Sequence, residues 1–375
     1  MLTFQIQVCT LRMGKDAKPA IVRSGRRNAT SNSQTQVVKK VQLPKKVEAA
    51  SKLENNATPL QQQCLDVFRD ALNWTTEDRE LLQEVKGHLF ARDFAAAFGR
   101  DGYLRVYAAR WSPSRALGYC QIWTDIEAHL REAIALLAVA TSEHLRVNVV
   151  CLGGGAGAEQ VSLATSFASF TAHGTSKMSV GLIDIAAWES VVASLVKRTT
   201  EPPELSQYAS AAARASNAAM LSRDDFAVTF SQSDVLNMEM TQAHDMTCDA
   251  ELVTLLFTLN ELYTTSVPKT QRLLSQLTNA MRTGSLLLVV DSPGSYSTVT
   301  IKGAEKRYPM QWLLDHTLLA ESRAPGERDH TEWVKVVSDE SRWFRLPQGL
   351  QYPMELENMR YQIHLYRRQR AAPSD

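Results

Sequence analysis

The stretch Arg146-Val-Asn-Val-Val-Cys-Leu-Gly-Gly-Gly-Ala-Gly-Ala-Glu159 decides the fold. Val147 to Leu152 is a short, mostly apolar run suited to a strand buried on both faces. It empties into Gly153-Gly154-Gly155-Ala156-Gly157, and from Gln160 to Phe170 a broad helical face collects Val161, Leu163, Ala164, Phe167 and Ala168. Strand, glycine turn and helix together open a nucleotide-binding α/β unit. Glycine allows a left-handed bend and a close ligand approach, and the helix that follows offers unpaired N–H groups to a polar ligand.

Glycines at 153, 155 and 157 give a G-x-G-x-G spacing that resembles the first motif of class I methyltransferases, which use S-adenosyl-L-methionine (SAM). A dinucleotide pattern, G-x-G-x-x-A ending at Ala158, fits the same residues. A second strand, Met178 to Ile183, runs into Asp184, which lies 27 positions beyond Gly157. An acid at this strand end can accept ribose hydroxyls of either cofactor, or it can cap a helix that begins near Trp188. A third strand, Phe226 to Phe230, precedes Ser233 and Asp234, where methyltransferases meet the adenine amino group; turn formation alone also favours Asp there. The fourth, Leu252 to Phe257, leads to Thr258-Leu259-Asn260-Glu261, and the fifth, Ser285 to Val290, ends at Asp291-Ser292-Pro293-Gly294-Ser295. Residues Glu201 to Met220, alanine-rich after two prolines, read as an extra helix before the third strand.

The carboxyl terminus separates the two cofactor readings. Trp333 to Val337 and Tyr361 to Tyr366 are two late strands with no helix between them. That ending suits an antiparallel edge hairpin, whereas a dinucleotide domain continues with parallel βα units. The expected fold is therefore α/β, a class I methyltransferase sheet with a terminal antiparallel hairpin.

Upstream, residues 59–146 read as a helical lead-in, with Leu60, Cys64, Leu65, Val67, Phe68, Ala71 and Leu72 at helical spacing. Within it Tyr107 to Ala116 breaks the pattern; Ser112 is expected to cap, and Pro113 to start, a new helix. Arg110 and Arg115 flank this turn and can reach a nucleic acid or a carboxylate. Residues 1–50 hold ten Lys/Arg against Asp16 and Glu48, a local +8; with an overall +1, the other 325 residues carry −7. Residues 1–58 thus form a basic arm too polar to fold alone, suited to phosphate contact, a nuclear address or a transit peptide, or simply to solvation. Five scattered cysteines without a C-x-x-C pair suggest neither disulfides nor a metal site, and no apolar run is long enough to span a membrane.

Six further segments carry a more specific resemblance: Tyr107–Tyr119 (YAARWSPSRALGY), Cys151–Glu159 (CLGGGAGAE), Thr258–Tyr263 (TLNELY), Tyr308–Leu318 (YPMQWLLDHTL), Ser341–Pro347 (SRWFRLP) and Glu357–Arg368 (ENMRYQIHLYRR). Over roughly residues 59–370 the chain resembles the fungal SAM-dependent methyltransferase family that includes large-subunit ribosomal RNA uridine-N3 methyltransferases. The resemblance implies a methyltransferase domain over 147–370, SAM as cofactor, ribosomal RNA or a pre-ribosomal particle as partner, a nucleolar place of work and a monomeric enzyme. Gly153, Gly155, Gly157, Asp184, Ser233, Asp234 and Asn260 are the expected cofactor residues. Glu261 is expected to accept the uridine N3 proton, with Asn260 holding a uracil carbonyl, unless Glu261 only caps the next helix or pairs with an arginine. Arg360, Arg367, Arg368 and Arg370 can neutralise phosphates, and Tyr263, Tyr296 or Trp312 can stack on a splayed base. Alternative readings are a methyltransferase for protein or small molecules and a non-catalytic SAM-binding assembly factor.

Overall fold

The structure, a computed structural model, describes residues 56–141, 146–167, 177–215, 217–294, 296–301, 304–319 and 332–369. The basic arm up to residue 55, the last residues of the helix expected through Phe170, Ser295 and Arg370 lie outside them.

Five helices precede the sheet: α1 (Pro59–Leu72), α2 (Asp78–Phe90), α3 (Phe94–Ala97), α4 (Asp101–Asp125) and α5 (Glu127–Thr141). Thr58 starts α1 with a capping box: it accepts from the Gln61 N–H, while the Gln61 side chain accepts from the Thr58 N–H. Pro59 sits in the first turn, where a missing N–H costs nothing.

The break expected at Pro113 does not occur. α4 runs 25 residues with Pro113 inside it. An interior proline leaves the carbonyl four residues earlier without its amide partner. That carbonyl belongs to Ala109, and the Tyr352 hydroxyl donates to it at 2.7 Å. The flanking serines do other work as well. Ser112 Oγ donates to the Ala156 carbonyl at 2.7 Å, and Ser114 Oγ accepts from the Glu357 N–H at 3.0 Å.

From β1 (Arg146–Leu152) the chain alternates strand and helix: α6 (Ala158–Thr165), β2 (Lys177–Asp184), α7 (Glu189–Thr200), α8 (Ala211–Ala215), β3 (Phe226–Gln232), α9 (Met240–Thr247), β4 (Leu252–Leu256), α10 (Leu259–Thr265), α11 (Val267–Ala280) and β5 (Leu286–Asp291). The helix expected over Glu201 to Met220 shrinks to the five residues of α8, in a largely exposed segment. Alanine favours helix, but a short helix with no apolar face to bury is marginal. After β5 come a separate hairpin, β6 (Tyr296–Ile301) and β7 (Ala304–Pro309), then α12 (Met310–Leu318), β8 (Trp333–Phe344) and β9 (Met359–Arg368).

The seven-stranded sheet has the order β3-β2-β1-β4-β5-β9-β8. β1 to β5 are mutually parallel, and β9 inserts antiparallel between β5 and β8. The terminal antiparallel hairpin expected from the sequence is therefore present. β4 and β5 are buried along their whole length, as strands covered on both faces must be. On one face, Val150, Leu152, Val253, Leu255, Leu287 and Val289 pack with side chains of α10, α11 and α12. α4 lies against the other face, where a side chain at Gly118 would collide with Met359. Chain order reverses between β1 and β4, so the crevice outside their carboxyl ends is the usual ligand position in an open α/β sheet.

Candidate active site

A chain of contacts gathers the predicted residues along this crevice. Gly153 and Gly157 have φ of +83° and +84°, conformations that glycine adopts without strain. A Cβ on Gly153 would lie 2.4 Å from Thr258 Oγ1, so the end of β1 touches the loop after β4. A Cβ on Gly155 would lie 2.0 Å from Trp188 Cδ1, and Trp188 is buried. The glycine turn is thus held between the β4 loop and the start of α7.

Asp184 ends β2 directly beside the turn. Its carboxylate accepts from the Gly155 N–H at 3.1 Å and the Ala186 N–H at 3.0 Å. Burial raises its pKa, and those same N–H groups oppose the shift. Each carboxylate oxygen keeps a further lone pair for a ligand hydroxyl. The Asp184 carbonyl in turn accepts from the Ser233 N–H at 2.8 Å, which brings the end of β3 alongside. Asp234 caps the short 3₁₀ turn Val235–Asn237 by accepting from the Leu236 N–H. The structure therefore gives Asp234 a local capping task beside its predicted one.

After β4 the backbone turns sharply. Phe257 has φ of +57°, an uncommon conformation for a bulky residue that costs about 1–3 kcal/mol unless its surroundings fix it. They do: its N–H donates to the Val290 carbonyl at 2.7 Å, and its ring lies beneath the Arg115 guanidinium, 4.9 Å from the ring centre. This turn delivers Asn260 and Glu261 into the first turn of α10, where both are buried. Asp291, at the end of β5, accepts from the Asn260 N–H at 3.0 Å and the Ser292 N–H at 2.7 Å. It thereby fixes the helix that carries Asn260 and Glu261. Burial pushes the Asp291 carboxyl up to about 6. The Asn260 amide oxygen is buried without a hydrogen-bond partner among the described residues.

Two charged residues reach the same place without having been assigned to it. Glu159, in the first turn of α6, is buried, and burial pushes its carboxyl up to about 8, against the pull of Arg115. Its Oε1 has no partner among the described residues. Burial pulls the Arg115 pKa down, but Tyr107, Tyr119 and Glu159 outweigh it and the group stays charged. Glu159 lay in plain view at the end of the glycine motif, but an acid in a helix's first turn is ordinary, and only its burial sets it apart. Arg110, the other flanking arginine, pairs with Glu357 instead.

Arg115, Asp184, Ser233, Asp234, Thr258 and Ser292 are all half-buried, although β4 and β5, which lead to Thr258 and Ser292, are closed to solvent. With the glycine turn and the buried Glu159, they bring to the crevice an acid for ribose hydroxyls, a glycine cradle, and a cation and an acid for a zwitterion. That donor set fits S-adenosylmethionine.

Other expectations change. Tyr263 is buried among the core side chains, so it cannot stack on a base. Trp312 is exposed, but Tyr308 stacks on it at 4.6 Å and His316 sits 5.1 Å away. The side chain of Tyr296 lies outside the described residues. Arg367 pairs with Glu132, and Arg368 is spent on Glu332 and the Thr278 carbonyl. Among the described residues, no helix is long and apolar enough to cross a membrane, and no cluster of three metal-binding side chains occurs.

The family model described as "Putative SAM-dependent methyltransferase" matches residues 67–367. The 25S rRNA (uridine(2843)-N(3))-methyltransferase of Saccharomyces cerevisiae is 32% identical over 349 residues, covering 86% of this chain and 89% of that protein. Among solved structures, human N-acetylserotonin methyltransferase in complex with SAM shares 12% identity, with a TM-score of 0.34 over 84% of this chain and 74% of its own. A SAM-dependent methyltransferase from Clostridium acetobutylicum shares 9% identity, with a TM-score of 0.30 over 67% of this chain and 98% of its own. The chain belongs to this SAM-dependent methyltransferase family.

Proposed function

We propose that this family member methylates N3 of a uridine in large-subunit ribosomal RNA. The observation that carries the reading is the 32% identity to the yeast uridine-N3 enzyme, which extends over nearly the full length of both chains. Gly153, Gly155 and Gly157 cradle the cofactor, Asp184 takes the ribose hydroxyls, and Ser233 and Asp234 border the adenine. Arg115 and Glu159 hold the carboxylate and ammonium of its methionine end. Bound there, the cofactor supplies a methyl group made electrophilic by its sulfonium.

A uridine N3 carries a proton, and its lone pair is delocalised, so it is a poor nucleophile until that proton leaves. Glu261 accepts the proton, and its burial keeps water from competing for it. Asn260, held in place through Asp291, steadies a uracil carbonyl. With such a substrate the nucleolus is the expected compartment. The test combines labelled SAM with large-subunit RNA from cells with and without the protein. RNA from cells lacking it should take up label at a uridine, while RNA already modified should not. Label on protein or small molecules alone would overturn the reading, as would no transfer at all.

A further inference from the structure

The sequence segment Ser341–Pro347 has so far found no use in the site. Trp343 lies near the carboxyl end of β8, the outermost strand of the sheet, and is 51% exposed. Its register partner on β9 is Arg360. The Arg345 guanidinium lies over the Trp343 ring at 3.9 Å, and that of Arg360 is 5.6 Å from the ring centre. Both arginines are exposed. Their neighbour Arg342 is already engaged by Asp125 and Asp339. No carboxylate among the described residues pairs with Arg345 or Arg360; Arg360 donates only to Ser341 Oγ, at 3.0 Å.

Phe344 and Met359, the adjoining pair, pack against Gly118 of α4. Side chains alternate across a strand, so Trp343 and Arg360 point to the opposite face, the one that carries α10 and α12. Asp291 pairs with Gln362, which places the start of β9 and the end of β8 on the same sheet edge as the active-site cleft. Three strand spacings, roughly 14 Å, separate β4 from β8. Charged side chains alone suffice to guard an edge strand against pairing. An exposed tryptophan between two unpaired guanidinium groups works against that purpose.

We propose that Trp343, Arg345 and Arg360 form a docking platform for a single-stranded segment of the RNA substrate. A base takes the place of the Arg345 guanidinium on the exposed indole, and Arg345, so released, and Arg360 meet flanking phosphates. This rests on the RNA reading above, and its charge carries the choice of occupant: a flat π-face flanked by two uncompensated cations suits a base with its phosphates. The test uses the full chain, a fluorescein-labelled single-stranded oligouridylate and anisotropy titrations over a range of salt. Trp343→Ala should weaken binding about 5- to 150-fold, the loss expected for one stacked base, with the salt slope retained. Trp343→Phe should recover much of it. Arg345→Gln with Arg360→Gln should flatten the salt slope by about 0.7 per lost contact. All three side chains are exposed, and an unchanged melting temperature would show that the variants fold.

Wild-type affinity and salt slope in both variants, with methyl transfer to ribosomal RNA intact, would overturn the platform and leave the RNA reading standing. Absence of both RNA binding and RNA methylation in the wild type would overturn both. Variants that keep RNA affinity but lose a co-purifying protein would assign the surface to that protein and overturn the platform as well.

Discussion

Placed against the cofactor's ammonium as proposed above, Glu159 should make cofactor binding a proton-coupled event. With its carboxyl pushed up to about 8 by burial, about nine in ten molecules hold it neutral at pH 7. The ammonium of the methionine end, placed beside Glu159 while the carboxylate meets Arg115, stabilises the ionised form. Binding should then release most of a proton at pH 7, and the net release should vanish near pH 8, where the free amine must itself take up a proton to bind as an ammonium. Calorimetry in buffers of different ionisation enthalpy measures this directly, as the slope of apparent binding enthalpy against buffer enthalpy. Asp291, at about 6, is already mostly ionised at pH 7 and adds little. Glu159→Gln should abolish most of the slope and weaken cofactor binding by about 1.5–3 kcal/mol, the value of a hydrogen bond to a charged group. The same shift sets a stability trend for the cofactor-free protein. A carboxyl whose folded pKa exceeds its ordinary 4.5 binds more protons folded than unfolded, so its contribution is complete below 4.5. That contribution is lost as pH rises toward about 8, an effect of a few kcal/mol at most. The Gln variant should show a flatter melting profile over that window. No proton release by the wild type at pH 7, or equal release by Glu159→Gln, would refute this role for Glu159.

Three further outcomes are expected. Gly155→Ala places a methyl group where Trp188 Cδ1 now lies 2.0 Å away, so cofactor affinity measured by calorimetry should collapse while circular dichroism shows a folded chain. Tyr352→Phe strips the Ala109 carbonyl of its donor and should cost about 1–3 kcal/mol in thermal or denaturant unfolding, whereas Pro113→Ala restores a backbone N–H there and should recover part of the loss. Glu261→Gln keeps shape but removes the base: cofactor affinity should stay near normal and turnover fall on the order of 100-fold, with partial recovery at alkaline pH, and normal turnover would return Glu261 to a structural role.

Strands and the glycine turn were legible because their signals are local. An apolar run, a turn composition and a period of two lie within a few adjacent residues, and β1 to β5 stand within two residues of their expected bounds. The paired late strands likewise announced the antiparallel edge. What escaped the sequence depends on partners far along the chain. Pro113 reads as a helix start until Tyr352 is known to satisfy the Ala109 carbonyl. Asp291 reads as a polar strand end until it is seen to hold the Asn260 N–H. The aromatic at 263 has the composition of a stacking residue and the burial of a core one. Alanines between 201 and 220 carry propensity without a face to bury, and propensity alone did not prevail.

The helices ahead of β1 are part of the active site in a physical sense, and α4 is the reason. Ser112 fixes the Ala156 carbonyl in the middle of the glycine turn, and Arg115 covers the Phe257 ring at the strained turn after β4. Ser114 and Arg110 both hold Glu357, and Tyr352 returns to Ala109. One buried helix therefore ties the cofactor turn, the loop bearing Asn260 and Glu261, and the segment joining β8 to β9. An uninterrupted helix sets the spacing of these contacts at one residue per 1.5 Å, a precision that two helices meeting at a flexible turn would lack. Proline at 113 is tolerable only because the β8–β9 connection comes back to mend the bond it breaks. That return also brings Trp343 and Arg360 to the cleft's edge of the sheet. The satisfaction of a single backbone carbonyl and the placement of the RNA platform thus follow from the same packing of α4 against the chain's last hairpin.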